Sequence, residues 1–321
     1  MAVSLKGKSI LTLRDLTSEE IWQLVKTAET LKMEKLRGQQ NKVLEGKSLG
    51  MIFQKPSLRT RVAFEVGMSN LGGHAVYLGP DDIKLGKRET TEDIARVLSR
   101  YVDGIMARVF SHEDVVELAE KSRVPVLNGL SEFTHPSQGL ADLLTIYEKK
   151  GCLKGIKMAF VGDGNNMAHT LMFAASKMGM HINMAIPEVY NPRKDAVEDA
   201  KRFAAESGGS VNLMDDPQEA VKDVDVIYTD VWLSMGPGNK EQQEKEKQER
   251  RRIFLPYQVN MDLLRLAKDD CIVMHCLPAI YGEEITKDIV EDPRGRVVYD
   301  EAENRMHTAM AMMALTMGSQ T

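Results

Sequence analysis

Short apolar runs alternate with amphipathic segments along most of the chain. The first amphipathic segment opens at "TSEE", where Thr17 stands three residues before Glu20, a capping-box pattern that starts a helix reaching about Lys35. Leu49 to Phe53 reads as a short strand stopped at Pro56, and a helix follows from about Thr60 to Leu71, ended by Gly72-Gly73. "HAVYLG" reads as a strand, "TTEDIARVLSRY" as a helix capped by Thr90 or Thr91, and "DGIMARVF" as a strand. "HEDVVELAEKS" reads as a helix and "VPVLNGL" as a strand; a long helix then runs from Pro136 to about Lys149. A second series starts after Gly151: "IKMAFVGDG", a helix to Met178, "HINMAIP", a helix over 195–207, "SVNLM", a short helix near 217–222, and "VDVIYTDVW". Beyond a charged segment come a helix over 260–268 and the strand "CIVMHCLP". After Val297-Val298-Tyr299, a Met- and Ala-rich helix is predicted over about 303–317. Strands alternating with helices of this length specify βαβ units around parallel sheets.

With 321 residues the chain exceeds what one hydrophobic core usually serves. The expected fold is α/β: two doubly wound parallel-sheet domains with the active site in the cleft between them. Residues 1–147 form the first, 148–302 the second, hinged near 136–150, and the last helix, about 303–321, packs back on the first. A net charge of −5 argues against a general polyanion binder, so no nucleic-acid partner is expected. The N-terminus lacks a signal-peptide core or transit-peptide composition, and no apolar run approaches the about 18 residues of a membrane span. Cys152, Cys271 and Cys276 are too few and of the wrong parity for a disulfide framework. Together these features predict a cytoplasmic protein. The charge run at 239–252 reads as a solvated helix or loop, with a mobile lid as the second reading because it follows "SMGPG".

Ligands of open parallel sheets sit beyond the carboxyl ends of the strands, which directs attention to five segments. In "KPSLRTR", Ser57, Thr60 and the first-turn amides can donate to an anion at a helix start, and Arg59 and Arg61 add forked guanidinium donors. Arg108 ends the strand "MAR". In "EFTHPSQ", His135 and Gln138 fall about one helical turn apart, the first suited to a carbonyl oxygen and the second to an amide. "FVGDGNN" invites a dinucleotide reading through Gly162, Gly164 and the later Glu188. Met167 stands where the third glycine belongs, so Asn165 and Asn166 are read instead as contacts for a small polar substrate. "TDVWLSMG" offers Asp230 for an ammonium group, with Ser234 beside it, and "VMHCLP" offers the Cys276 thiol. A phosphate-type site in one half and an amine-recognising surface in the other suit group transfer from a phosphorylated donor to an amino acceptor.

"SLRTR", "HPSQ", "DVWLSMG", "HCLP" and "DEAENR", in this order over the whole chain, resemble the aspartate/ornithine carbamoyltransferase family. "SMG" with "HCLP" points to its ornithine-using branch. The resemblance implies a homotrimer or an assembly of trimers and no cofactor, and no spacing in the chain demands a metal. Carbamoyl phosphate would be held by Ser57, the Leu58 amide, Arg59, Thr60, Lys84, Arg108, His135, Gln138, Leu277 and Arg305. Ornithine would be held by Asn166, Asp230, Ser234 and the Met235 backbone. Arg59, Arg108, His135, Asp230 and Cys276 would serve the chemistry, transferring a carbamoyl group to the side-chain amine of L-ornithine in arginine biosynthesis. Two positions depart from the family pattern: Leu58 replaces a threonine, and Lys84 replaces a glutamine that reaches a neighbouring subunit's site. The alternatives are a carbamoyltransferase for putrescine, aspartate or an acylated ornithine, and, more remotely, a non-catalytic nucleotide-binding α/β protein. Metal ligation by Cys271, His275 and Cys276 is disfavoured because neighbours on a strand point to opposite faces.

Overall fold

The computed structural model describes residues 3–83, 85, 89–232 and 240–318, the side chains of 240–246 excepted. The chain divides into two compact units, Met1–Leu144 with Glu303–Thr321, and Thr145–Ala302.

In the first unit, α1 (Ser18–Leu36) starts at the capping box of Thr17 and Glu20, each side chain bonding the other's backbone N–H. It buries Ile21, Leu24, Val25, Ala28 and Leu31, one stripe at helical spacing. Then follow β1 (Ser48–Phe53), α2 (Leu58–Asn70), β2 (His74–Leu78), α3 (Pro80–Ile83), α4 (Thr91–Leu98), β3 (Gly104–Arg108), α5 (His112–Lys121), β4 (Val126–Leu130) and α6 (Pro136–Lys150). The four strands form a parallel sheet in the order β2-β1-β3-β4. Ile52, Ile105, Ala107, Val115, Leu118 and Val126 meet in a core on one of its faces. The outer edge of β4 is covered by Ile10, which exchanges backbone hydrogen bonds with Val126 and Asn128.

The second unit contains β5 (Lys157–Val161), α7 (Asn166–Lys177), β6 (His181–Ala185), α8 (Lys194–Ser207), β7 (Ser210–Met214), α9 (Pro217–Ala220), β8 (Val226–Thr229), α10 (Lys240–Phe254), α11 (Met261–Leu264), β9 (Ile272–His275) and α12 (Lys287–Glu291). Its parallel sheet runs β7-β6-β5-β8-β9. Val161, Ile227, Val273, Trp232, Phe254 and Ile289 are among the side chains of one of its core clusters. Each full burial of this kind contributes about 1.5–3 kcal/mol.

The last helix, α13 (Val297–Met317), begins in the second unit and from Glu303 onward belongs to the first. It starts earlier than its composition suggests, because the buried Glu301 accepts from the Tyr228 hydroxyl at 3.1 Å and the His275 amide at 2.9 Å. Strand β9, in turn, stops at His275, so Cys276 lies beyond it.

Candidate active site

Each sheet changes winding direction once, between β1 and β3 and between β5 and β8. The carboxyl ends of the strands flanking these points are where ligands of such sheets bind, and both carry the candidate residues.

At the first switch point, Phe53 pairs with Arg108 in register. The Gln54 amide then donates to the Arg108 carbonyl at 2.9 Å, while its side chain bonds the Phe110 amide and Asp114. The turn 54–57 is thereby fixed beside Arg108. Ser57 caps α2, its Oγ accepting from the Thr60 amide at 3.4 Å. The start of α2 thus presents its amide donors at the sheet edge. Thr60, almost fully buried, accepts from Arg108 Nη1 at 3.1 Å and from Arg305 Nη2 at 3.0 Å. Both hydroxyl lone pairs are used, which leaves the hydroxyl proton for a third partner. Arg305 also donates to Gln138 Oε1 at 2.6 Å, and Gln138 Nε2 donates to Asp142 at 2.8 Å.

His135 is buried in the same set, with Nδ1 3.4 Å from the Ser137 hydroxyl. Burial, and then the charges of Arg305 and Arg108, hold its pKa well below that of a free histidine. The ring is therefore neutral at pH 7 and able to donate one N–H to a carbonyl oxygen without adding charge. Burial, with the nearby charge of Arg108, also lowers the pKa of Lys55.

Three sequence expectations are sharpened in this set. Arg59 stands half-exposed on the first turn of α2. Arg61 is turned elsewhere: it pairs with Glu65 at 3.0 Å and lies 3.8 Å over the Tyr77 ring. The Leu58 side chain is 74% exposed, so only its backbone can serve the set. Lys84 lies outside the described residues, as do Ser234 and Met235.

At the second switch point Asp230 follows β8 and is buried. Its Oδ1 accepts from the Val231 amide at 2.8 Å and from the Cys276 thiol at 3.2 Å; its Oδ2 accepts from Asn165 Nδ2 at 3.1 Å. Asn166 occupies the first position of α7, beside the Asn165 cap. Asp163 pairs with Arg250 at 2.8 Å, and the same guanidinium donates to the Trp232 carbonyl at 2.7 Å and lies 4.5 Å over the Tyr190 ring. Burial pushes the Asp163 carboxyl up, Arg250 pulls it down, and the charge of Asp230 raises it again.

The glycine pattern at this turn serves packing. A Cβ on Gly164 would come within 2.3 Å of the Tyr190 carbonyl oxygen and 2.5 Å of the Pro192 nitrogen. The chain after β6 therefore lies against the turn where a dinucleotide would need its pyrophosphate, consistent with the opposing signal of Met167.

His275 is fully buried, its Nδ1 accepting from the Leu277 amide at 2.9 Å and its Nε2 lying 3.1 Å from Glu284. Leu277 adopts φ +53°, a left-handed conformation uncommon for a branched side chain and held here by that bond. Because β9 ends at His275, strand alternation does not separate His275 from Cys276: their ligand atoms and those of Asp230 lie within 4.8 Å of one another. The imidazole already has a partner at each nitrogen, so this trio offers a thiol and a carboxylate but not a vacant third ligand for a tetrahedral ion. Cys271 is buried in the core with its thiol pushed up to about 12 by burial, a packing residue.

Sequence reasoning missed Asp142, Asp163, Lys55 and Arg250. Asp142 was within reach, since it sits one turn after Gln138 on α6. Nothing local announces the pairing of Asp163 with Arg250, 87 residues away.

Residues 8–148 match the aspartate/ornithine carbamoyltransferase carbamoyl-P binding domain, and residues 154–316 the Asp/Orn binding domain of the same family. The chain is 56% identical to the ornithine carbamoyltransferase of Pyrococcus abyssi over 99% of its own length and 98% of that protein's. It is 56% identical to the anabolic ornithine carbamoyltransferase of Pyrococcus furiosus, covering 99% of both chains. The solved structure of ornithine carbamoyltransferase from Pyrococcus furiosus superposes with a TM-score of 0.95 at 54% identity, covering 99% of this chain and 100% of that one. That from Gloeobacter violaceus superposes with a TM-score of 0.87 at 40% identity, over 98% and 100% of the two chains.

Proposed function

The chain belongs to the aspartate/ornithine carbamoyltransferase family, and from that premise we propose that it transfers the carbamoyl group of carbamoyl phosphate to the side-chain amine of L-ornithine, giving L-citrulline and phosphate. The role is anabolic, in arginine biosynthesis, as the name of the Pyrococcus furiosus relative suggests. The observation that carries the choice of acceptor is Asp230, a buried carboxylate that receives the Cys276 thiol. A negative centre there suits an alkylammonium group and repels the second carboxylate of aspartate. A diamine such as putrescine would leave Asn166 and the Met235 backbone without an α-carboxylate to hold. An acylated ornithine remains the closest competitor, separated by the assay below.

The roles follow from the chemistry. Ser57, the start of α2 and Arg59 hold the phosphate, joined by Lys84 from a neighbouring subunit. Arg108, His135 and the Thr60 hydroxyl serve the carbamoyl oxygen and Gln138 the carbamoyl amide, and Leu277 is assigned to the same substrate by the family resemblance. Arg305 holds Thr60 and Gln138 in place. A free alkylammonium has a pKa of about 10.4, so attack requires the neutral amine to be selected or made at the site. Asp230, steadied by Cys276, binds the ammonium and takes its proton, while Asn166, Ser234 and the Met235 backbone hold the amino-acid end. The amine attacks the carbonyl carbon, the oxygen gains negative charge, and the fixed donors stabilise it. Collapse breaks the carbon–oxygen bond to phosphate, which leaves onto the arginines and carries off the second proton of the attacking nitrogen.

A homotrimer fits the surface of the first unit. Leu58, Val62 and Val66 form an exposed apolar stripe along α2, 74%, 47% and 39% accessible. Strand β2, at the edge of its sheet, is exposed or half-exposed throughout. Among the described residues no strand pairs with its outer edge, and such a surface suits contact with another chain. No described helix is long and apolar enough to cross a membrane. With no disulfide among the three cysteines, a reducing cytoplasm is the proposed compartment.

The test is citrulline formation from carbamoyl phosphate with ornithine, putrescine, aspartate and acetylornithine in parallel. Ornithine is expected to exceed the others by at least about 100-fold in kcat/KM, since a buried site built for one acceptor's charges rejects the wrong ones strongly. Preference for any other acceptor overturns the assignment.

A further inference from the structure

We propose that Asn165 is a positioning residue that fixes the orientation of Asp230, an inference that rests on the acceptor role assigned to Asp230 above. Asn165 is the N-cap of α7, and its Oδ1 is committed to the helix, accepting from the Met167 amide at 2.8 Å and the Ala168 amide at 3.3 Å. Two bonds to one oxygen leave the side-chain amide a single orientation. In that orientation its Nδ2 donates to Asp230 Oδ2 at 3.1 Å. On the other side, Oδ1 of Asp230 is held by the Val231 amide and the Cys276 thiol.

The carboxylate is thus gripped at both oxygens, and the grip on Oδ2 comes from a helix end. An Asp carboxylate otherwise turns broadly about its terminal torsion. Transfer needs the amine lone pair aligned with the carbonyl carbon, so the plane of the carboxylate that binds the amine decides how often attack geometry is met. Asn165 acts here through Asp230: its oxygen is committed to the helix cap, and one N–H of its amide is committed to the carboxylate.

The same turn is pinned two residues earlier. Arg250 holds Asp163 at 2.8 Å and so offsets a second carboxylate close to Asp230. A neutral donor at position 165 is what this arrangement requires; another acid there would face Asp230 with no counter-charge of its own.

Two substitutions separate positioning from capping, because Ser and Asp both supply a capping oxygen. Asn165→Ser keeps the cap but is too short to reach Asp230. Its kcat for citrulline should fall by about 100-fold, with the KM for carbamoyl phosphate and the thermal midpoint close to wild type. Asn165→Asp keeps the cap and places a carboxylate against Asp230. Two acids at that distance share a proton, so the acidic limb of its kcat/KM profile for ornithine should move to higher pH. Wild-type kcat and an unmoved pH profile in these variants would overturn the inference. So would equal losses of carbamoyl phosphate binding, ornithine binding and thermal midpoint, which would mark a purely structural cap. If the unsubstituted enzyme makes no citrulline from ornithine, the functional reading fails and takes this inference with it. Normal turnover by Asn165→Ser beside an active wild type defeats the inference alone.

Discussion

Cys271 and Cys276 share one stretch of chain and have opposite fates. The first is a core side chain with an inert thiol; the second leaves the strand and donates to Asp230. The sequence offers no way to rank them from burial alone, but the end of the apolar run at "HCLP" marks Cys276 as the one beyond the sheet. Cys276→Ser should lower citrulline turnover by at least about tenfold, while inorganic phosphate and carbamoyl phosphate bind within twofold of wild type, measured by steady-state kinetics and calorimetry. An unchanged turnover would return Cys276 to the same status as Cys271. At this scale the residues legible as candidates were those whose type suits a ligand: Ser57, Thr60, Arg108, His135 and Asp230. The pairings that orient them were not: Arg305 was named without its partner Thr60, and Arg250 was not named, because both pairs form only on folding, across 245 and 87 positions.

Among the elements, strands were read well because each is a short β-branched or apolar run between turn residues, and nine such runs became the two sheets. Boundaries moved where a tertiary contact outweighed local propensity. Val297, Val298 and Tyr299 favour a strand by type, yet they open α13, whose buried Glu301 is held by Tyr228 and the His275 amide. The turn between β5 and α7 shows the converse: its glycines imitate a nucleotide motif for a reason of space. Gly164→Ala should therefore act as overpacking against rigid backbone, lowering stability by about 1–3 kcal/mol in urea unfolding and raising the KM for ornithine. Carbamoyl phosphate affinity should be spared. Full stability in this variant would show that the chain at 190–192 moves aside freely.

For the molecule as a whole, the two-unit α/β architecture follows from the number and alternation of elements, but the surface proposed to meet another copy has no sequence signal of its own. The α2 stripe is visible only once Ser57 and Thr60 fix which face of that helix turns inward. If α2 forms the interface of the proposed trimer, Val62→Glu combined with Val66→Glu should lower the oligomeric state in sedimentation velocity and depress activity. A persisting trimer would place the interface elsewhere. The placement of α13 reaches beyond assembly to the order of synthesis. By residue 302 the acceptor unit is whole, whereas Thr60 and Gln138 wait for Arg305, the last of their partners to be made. An interrupted polypeptide can shape the ornithine side but cannot finish the carbamoyl side. On the proposed roles, a copy that the ribosome leaves incomplete would lack the arginine that holds Thr60 and Gln138.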